Sequence, residues 1–589
     1  MTTSIVESVA FAREYSNVED ALVVQDASSV TWDEEADFVV VGYGGAGVAA
    51  ANQALDGGLS VIALDRFVGG GATAMNGGVI YTGGGTWVQK EAGYDDTPEA
   101  MFEYLSKELQ GIVTEETLRD FCEQGPEMLG WLEAHGVRFE PVAYPHKTSY
   151  PTRRYHLYFP DNSLLRKYRG QHKPAPRGHK VKIDIGKANE GFGRGIFEPQ
   201  RDAAAAAGLR LFSQTTARQL VLDKDGALLG VKAYRVPPGT PQHAELVKAQ
   251  RLMQKWLSML PSTTPGVQIP TAIGRYYNRK AARIEAAEAR PVYIRARRGV
   301  TLSAGGFIFN KQMVREFAPR FTRVFPLGTL ADDGSGILLG RSAGGALNRM
   351  DEVSGWRFLN PPKSWGKGAL VNARGARYVD EASYGATIGR AMMRTGNDGV
   401  AWLILDAELW EESKNGLKHE ELWPFQRDPA RATMTLRTKK APTLEALARK
   451  LGFDESTFLE TIANYRKAQA GEIEDPFEKA PEDMGRMARG PYRAIDLGVT
   501  SPFFPLPSIT VGGLLVDERS GLVLREDGST IPGLYAAGRT AVGLCSNIYL
   551  SGLSAADCIF SGRRAGRHAS NLTDVDRKSV VGLCAAGTN

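Results

Sequence analysis

Three glycines and an acid carry the first chemistry to be read in this chain: Gly42, Gly44 and Gly47 in Asp37-Phe-Val-Val-Val-Gly42-Tyr-Gly44-Gly-Ala46-Gly47, and Asp65 in Ala63-Leu64-Asp65. Strand, glycine turn, helix, strand and acid in that order are the parts of a dinucleotide site. Gly42 allows the turn, Gly44 lets the backbone approach a pyrophosphate, Gly47 lets helix and sheet pack closely, and the free N–H groups of the helix N-terminus face the phosphates. Asp65 is placed to accept from ribose hydroxyls. A second group, Tyr549, Ser551 and Gly552 in Cys545-Ser-Asn547-Ile-Tyr549-Leu-Ser551-Gly552-Leu553-Ser554, sets two hydroxyls beside a glycine turn. A free tyrosine ionises near pKa ~10, so as a base it needs neighbouring donors or a helix dipole to hold its phenolate.

The elements that position these residues follow from pattern. Residues 37 to 88 form the first βαβ unit, helical patterns follow at Thr97 to Gln110 and Glu115 to His135, and the stretch from Tyr144 to Lys182, rich in Tyr, His, Arg and Pro, reads mostly as loop. Arg201 to Gly208 is a helix with a glycine C-cap, feeding strands at Leu209 to Thr215 and Gln219 to Asp223. From His243 to Ala289 two helical patterns, separated by Pro261 to Pro270, interrupt the β-meander. Their apolar positions Leu246, Met253, Trp256, Leu257 and Met259 suit a cover over a substrate channel, a second subunit or a membrane surface, with a plain surface excursion as the alternative. A strand at Gly299 to Ser303 returns to the first sheet, Asp332-Asp333-Gly334-Ser335-Gly336 opens a helix whose N-terminus can face a cofactor, and Leu444 to Leu451 and Glu455 to Ala468 are amphipathic helices.

At 589 residues the chain is long enough for two or more cores. With 43% apolar and 23% charged residues and a net charge of +4, nothing points to nucleic acid, and the basic clusters Arg275 to Lys280 and Arg295 to Arg298 read as solvated faces. Cys122, Cys545, Cys558 and Cys584 lack any CxxC or metal spacing, so no disulfide framework and no metal site is expected. The charges among the first thirty residues break a signal-peptide core, and no run approaches the roughly 20 apolar residues of a membrane helix. The expected location is cytoplasmic. His146, His156 and His179 are expected at the surface.

The loop that follows Asp65-Arg66, Val68-Gly-Gly-Gly71-Ala-Thr73-Ala74-Met-Asn76-Gly77-Gly78, resembles the Gly-Gly-x-Ser/Thr loop of flavoproteins of the fumarate reductase and ketosteroid dehydrogenase superfamily, along which their FAD runs. Ser303-Ala-Gly305-Gly306-Phe-Ile-Phe-Asn310 resembles the Gly-Gly-Phe turn of that family, Leu370 to Glu381 its strand entering the substrate lobe, and Ile531-Pro-Gly533-Leu-Tyr-Ala536-Ala537-Gly538 its closing FAD strand. The resemblance implies an α/β (α+β) fold: a Rossmann-like FAD-binding domain of the glutathione-reductase type with an inserted smaller α+β substrate and catalytic domain. The FAD-binding domain would span 1–350, including the helical insertion 243–289, and 491–570, with the smaller domain at 351–490 and a loose tail at 571–589. It further implies FAD contacts from Gly42, Gly44, Ala46, Gly47, Asp65, Arg66, Thr73, Ala74, Gly77, Gly78, Ala217, Asp333, Gly538, Leu553 and Ser554. One dinucleotide fingerprint with no second argues against a pyridine-nucleotide disulfide reductase, since Gly191-Phe-Gly193-Arg-Gly195 lacks a preceding strand. The flavin is therefore expected to take a hydride from one substrate and pass electrons to a separate acceptor.

Two substrate classes occur in that superfamily, small dicarboxylates and apolar ketones. Where fumarate reductases carry an arginine that binds a carboxylate, this chain has Tyr549, and losing the guanidinium removes the charge needed to hold a dianion. Tyr549-Leu-Ser551-Gly552 instead resembles the active-site motif of 3-ketosteroid Δ4-(5α)-dehydrogenases, and less closely that of the Δ1-dehydrogenases. A second tyrosine from the small lobe is implied at Tyr384, with Tyr378 and Tyr155 competing. Desaturating a ketone at its α,β bond needs a base for the α-proton, donors for the enolate oxygen and flavin N5 beside the β-hydride. Tyr549 with Ser551 would abstract the C4 proton, Tyr384 would donate to or relay from that pair, and the Gly552 N–H would polarise the 3-keto oxygen. Leu553 and Ser554 would approach the flavin pyrimidine. The expectation is an FAD-dependent dehydrogenase acting on an apolar polycyclic ketone such as a steroid, Δ4 preferred to Δ1. The alternatives are a fumarate- or urocanate-type ene-reductase and a flavin-containing binding or sensor protein without turnover.

Overall fold

The computed structural model describes residues 16–170, 172–183, 191–257 and 268–572. Met259, most of the Pro261 to Pro270 separator, Cys584 and the tail beyond residue 572 lie outside the described residues.

The first motif folds as its pattern requires. Phe38 to Val41 at the end of strand β1 (Glu34–Val41) are apolar and buried on both faces, as parallel strands covered on both sides must be. β1 pairs in parallel with β2 (Val61–Leu64), Val41 opposite Leu64, and on its other side with the long strand Arg290–Leu302. These belong to a nine-stranded sheet in which Thr215–Leu222, Leu228–Arg235 and Arg290–Leu302 form the antiparallel meander, and Thr530–Ala536 joins in parallel beside Arg290–Leu302. Helix α1 (Gly45–Asp56) presents small residues to the last helix of the fold, so the two backbones pack closely. Three further helices matter below: α2 (Ser335–Ser342), α3 (Gly385–Met392) and α4 (Leu553–Asn571).

A second core surrounds a four-stranded antiparallel sheet, in the order Ala369–Val371, Trp402–Leu405, Tyr492–Asp496 and Thr438–Ala441, covered by helices Leu444–Leu451 and Glu455–Gln469. Its last strand falls after residue 490. Behind Ala369–Val371, the buried Glu381 is held by Arg377 (2.8 Å) and Lys479 (2.9 Å), a fully enclosed ion cluster that ties this lobe's entry to its interior.

Three expectations need correction. The Tyr144 to Lys182 stretch contributes three strands, Ala143–Lys147, Leu157–Phe159 and Gly178–Lys180, to a small sheet with Val79–Tyr81. Most are three residues long, too short to show alternation. The pattern at Glu115 to His135 is two helices, Glu115–Glu123 and Gly125–Ala134. His156 and His179 are buried, not at the surface: His156 Nδ1 meets the Lys180 carbonyl at 3.1 Å, and His179 Nε2 meets Thr86 Oγ1 at 2.9 Å. Burial depresses His179 to about 4, so it is neutral. Among the described residues no helix is long and apolar enough to cross a membrane, and no cluster of three His, Cys, Asp or Glu side chains could hold a metal.

Candidate active site

A cavity of about 850 Å³ runs from the carboxyl ends of β1 and β2 to the smaller lobe, within the range of about 300–1,000 Å³ usual for ligand clefts. Its first half is a dinucleotide cradle. At Gly42, φ is +91°, and a Cβ would stand 2.6 Å from the Ala304 backbone, so only glycine makes this turn. α1 has Gly44 at its N-cap, with no side-chain cap, and Gly44, Gly45 and Ala46 form the wall. Its first-turn amides are therefore free for phosphate. The half-buried Asp65 closes this end, its carboxylate accepting from the N–H of Phe67 (2.8 Å) and Tyr43 (3.0 Å). Burial raises its carboxyl above the ordinary value, against these amides, which lower it. Arg66, Thr73, Gly77, Ala217, Asp333 and Gly538 line the same space.

Four of the expected cofactor contacts do not line the cavity. A Cβ on Gly47 would lie 2.1 Å from the Gly42 carbonyl, so this glycine serves helix–sheet packing. Ala74 packs in the cluster of Tyr43 and Phe197, Gly78 lies against the Phe192 backbone, and Leu553 is wholly enclosed in the core with Ile80 and Leu550. Ser554 and Ala555 reach the cavity instead, from the first turn of α4. The N-cap of α4 is Gly552, where φ is +86° and a Cβ would crowd the Tyr81 amide at 2.8 Å.

The second half brings Tyr549, Ser551 and Gly552 together with Tyr384, which immediately precedes α3. Trp356 stands edge-on to Tyr549 (4.7 Å between ring centres), Phe358 packs on Tyr384, and Ile509 and Pro507 complete an apolar wall. Neither competitor of Tyr384 lines the cavity: Tyr378 bonds to the Val400 carbonyl, and Tyr155 packs edge-on against Tyr144. No histidine lines the cavity. Its charged lining residues are Asp65, Arg66, Arg218, Glu285, Asp333 and the ion pair Asp332–Arg539 (2.5 Å), which is packed against Gly305. Of these, Arg539 lies near Tyr549, with its charge balanced by Asp332.

Burial pushes the Tyr549 phenol well above its ordinary value, against the nearby Arg539 charge and the Gly552 amide beside its hydroxyl, which lower it. Tyr384 is raised by burial and by the neighbouring Tyr549 and Tyr158, with Ser551 acting the other way. Raised in this way, both phenols are mostly protonated near neutral pH.

The segment from Tyr158 to Asn162 went unread in the sequence because it lies in the presumed loop. Tyr158 meets Ser551 Oγ at 2.8 Å, the Pro160 carbonyl accepts from the Ser551 N–H (3.4 Å), and Asn162 Oδ1 accepts from the Tyr384 N–H (2.6 Å). Asn162 Nδ2 donates to Thr387 Oγ1 (2.9 Å) and Glu108 Oε1 (3.1 Å). One short segment therefore grips both halves of the hydroxyl group. No local motif announces it; only the contact across nearly four hundred residues does.

The FAD binding domain family matches residues 37–552. The chain belongs to this FAD-binding family. FAD is its cofactor, and the protein is an FAD-dependent oxidoreductase of the fumarate reductase and ketosteroid dehydrogenase superfamily. This flavoprotein is 34% identical to the 3-oxo-5-alpha-steroid 4-dehydrogenase of Comamonas testosteroni over 88% of this chain and 96% of that protein. It is 26% identical to the 3-oxosteroid 1-dehydrogenase of Mycolicibacterium smegmatis, over 88% of this chain and 94% of that one. Its fold is similar to the crystal structure of 3-ketosteroid-delta4-(5alpha)-dehydrogenase from Rhodococcus jostii RHA1 in complex with 4-androstene-3,17-dione, with a TM-score of 0.75 and 31% identity, covering 94% of this chain and all of that one.

Proposed function

We propose that this flavoenzyme introduces the double bond beside the carbonyl of a 3-ketosteroid, acting on 5α-reduced substrates at the 4,5 position. The observation that carries the reading is the wall of hydroxyls and aromatic rings on which Tyr549, Ser551 and Tyr384 meet beside the FAD cradle, where the nearby guanidinium of Arg539 is already neutralised by Asp332 and is not free to hold a dicarboxylate. The resemblance to a 4-dehydrogenase at higher identity than to a 1-dehydrogenase supports the regiochemistry.

The ionised fraction of Tyr549, with Ser551 at its side, takes the C4 proton and becomes the neutral phenol. Passing that proton on through the hydroxyls of Ser551, Tyr158 and Tyr384 toward solvent restores the phenolate. The Gly552 N–H is the donor assigned to the 3-keto oxygen, so a carbonyl held there sits next to the base. Trp356 and Phe358 exclude water and offer flat apolar contact to a ring system. Bound FAD supplies the hydride acceptor at N5. Ser554 and Ala555 at the α4 N-terminus, Gly42, Gly44, Ala46, Asp65, Arg66, Thr73, Gly77, Ala217, Asp333 and Gly538 are the residues we assign to the cofactor. Electrons then leave to a separate acceptor, since the sequence carries one dinucleotide fingerprint. We assign the catalytic domain to 351–496, since its sheet includes Tyr492–Asp496 and the expected boundary at 490 would divide it, the FAD-binding domain to 1–350 and 497–570, and the location to the cytoplasm.

The deciding experiment mixes the holoenzyme anaerobically with a 5α-reduced 3-ketosteroid, a Δ4-3-ketosteroid and succinate in separate cuvettes, following the visible flavin band. Bleaching by the 5α-steroid supports the proposal. Bleaching by the Δ4-steroid alone moves it to the Δ1 reaction, and bleaching by succinate alone replaces it with the small-acid reading.

A further inference from the structure

Helices Pro241–Leu257 and Gln268–Glu288 stand on the paired ends of strands Leu228–Arg235 and Arg290–Leu302, where Arg235 lies opposite Arg290. Leu246, Ala249, Met253 and Ala281 form a small core of their own with Val236. Leu246 and Met253, the residues whose exposure would have suited a channel cover or a membrane, are therefore turned inward. The helices meet the FAD lobe through polar groups instead. Gln250, which is buried, donates from Nε2 to the Arg66 carbonyl (3.1 Å) and to Glu285 Oε1 (3.2 Å), and its Oε1 accepts from Gln214 Nε2 (3.4 Å). Glu285 Oε2 pairs with Arg66 Nη2 at 3.2 Å, and Arg66 Nη1 reaches Asp333 Oδ2 at 3.5 Å.

Arg66 directly follows Asp65, the acid that marks the ribose end of the cradle. Glu285 lines the cavity there, together with Arg66 and Ala217, and none of the other residues of these two helices does. The pair is partly enclosed, with side-chain exposures of 31% for Arg66 and 12% for Glu285, so water screens it less than an open surface pair. A guanidinium held from two sides loses little further freedom when a ligand arrives. Ribose hydroxyls and adenine ring nitrogens are acceptors suited to it.

We propose that the two inserted helices are a cofactor clasp: Gln250 and Glu285 hold Arg66 against the adenosine half of FAD, so retention of the dinucleotide depends on an element outside the dinucleotide fold. The proposal rests on FAD and not on the steroid reading. It separates two parts of the cofactor, because only the adenosine half reaches this end.

The test uses the full-length protein with Gln250→Ala and Glu285→Ala combined, and separately Glu285→Gln, which keeps the side chain's size and its link to Gln250. Release of FAD from the holoenzyme is followed by the rise of free-flavin fluorescence, and ADP and FMN binding to the apoprotein by calorimetry. The double variant is expected to bind FAD and ADP about tenfold more weakly with FMN unchanged, and Glu285→Gln to show a smaller loss of the same selectivity. Unchanged ADP affinity in both variants overturns the proposal, and so does an equal loss for ADP and FMN, which would report general damage to the lobe.

Discussion

The two ends of the cavity are built from opposite materials. At the end we assign to the adenosine, Arg66 is paired with Glu285 and Asp333 beside Asp65. At the catalytic end, phenols and one hydroxyl face aromatic and aliphatic walls, and the residues come from two lobes. The difference follows from what each end does. A group that is bound once and kept can be held by fixed charges. A ring system that must enter, lose a proton and leave is better served by walls with no charge to desolvate. The same dryness that admits an apolar ketone also raises the Tyr549 and Tyr384 phenols. Their neighbours therefore must supply what water does not.

This contrast can be broken at either end, and the largest effect is expected at the catalytic one. Tyr549→Phe should slow anaerobic flavin reduction by the 5α-steroid by roughly 10² to 10⁴, the usual contribution of a positioned proton acceptor, while FAD stays bound; an unchanged rate would remove Tyr549 from the reaction. Asp65→Asn should act only at the other end. It should weaken FAD roughly ten- to a hundredfold, as expected for loss of a charge-assisted hydrogen bond worth about 1.5–3 kcal/mol, measured by equilibrium dialysis of the flavin. The pH profile sharpens the comparison further. Because the Tyr549 phenol is raised above its ordinary value, its ionised fraction is small at neutral pH and grows about tenfold per unit as pH rises toward that raised value. Single-turnover reduction should accelerate from pH 7 to about 9, and the slope should vanish in Tyr549→Phe; a flat wild-type profile would exclude a phenolate base. The smallest effect is expected at Tyr158→Phe, which removes one hydrogen bond to Ser551, about 0.5–1.5 kcal/mol or roughly two- to tenfold in rate. FAD affinity there should not move.

The cradle was legible because its parts are consecutive: strand, turn, helix and acid lie within thirty residues, and each has a local physical cause. Tyr549, Ser551 and Gly552 were legible for the same reason, as one turn leading into α4. The supports of the site were not. Tyr158, Pro160 and Asn162 sit in strands and turns too short to show periodicity, and their partners Ser551 and Tyr384 are hundreds of positions away. The inserted helices were read correctly as helices, yet their apolar residues suggested an outward face. Once two helices lie side by side, those residues have each other to pack against, which a single amphipathic pattern does not reveal.

By itself the sequence determined the type of cofactor and the kinds of side chain available for chemistry, because glycine conformation, helix termini and the loss of an arginine are properties of neighbouring residues. Only the tertiary structure decided which tyrosine faces Tyr549, which segment steadies them both, and which end of the cavity the insertion serves. Those choices are made by contacts between distant parts of the chain, where shape and burial, not spacing, select the partner.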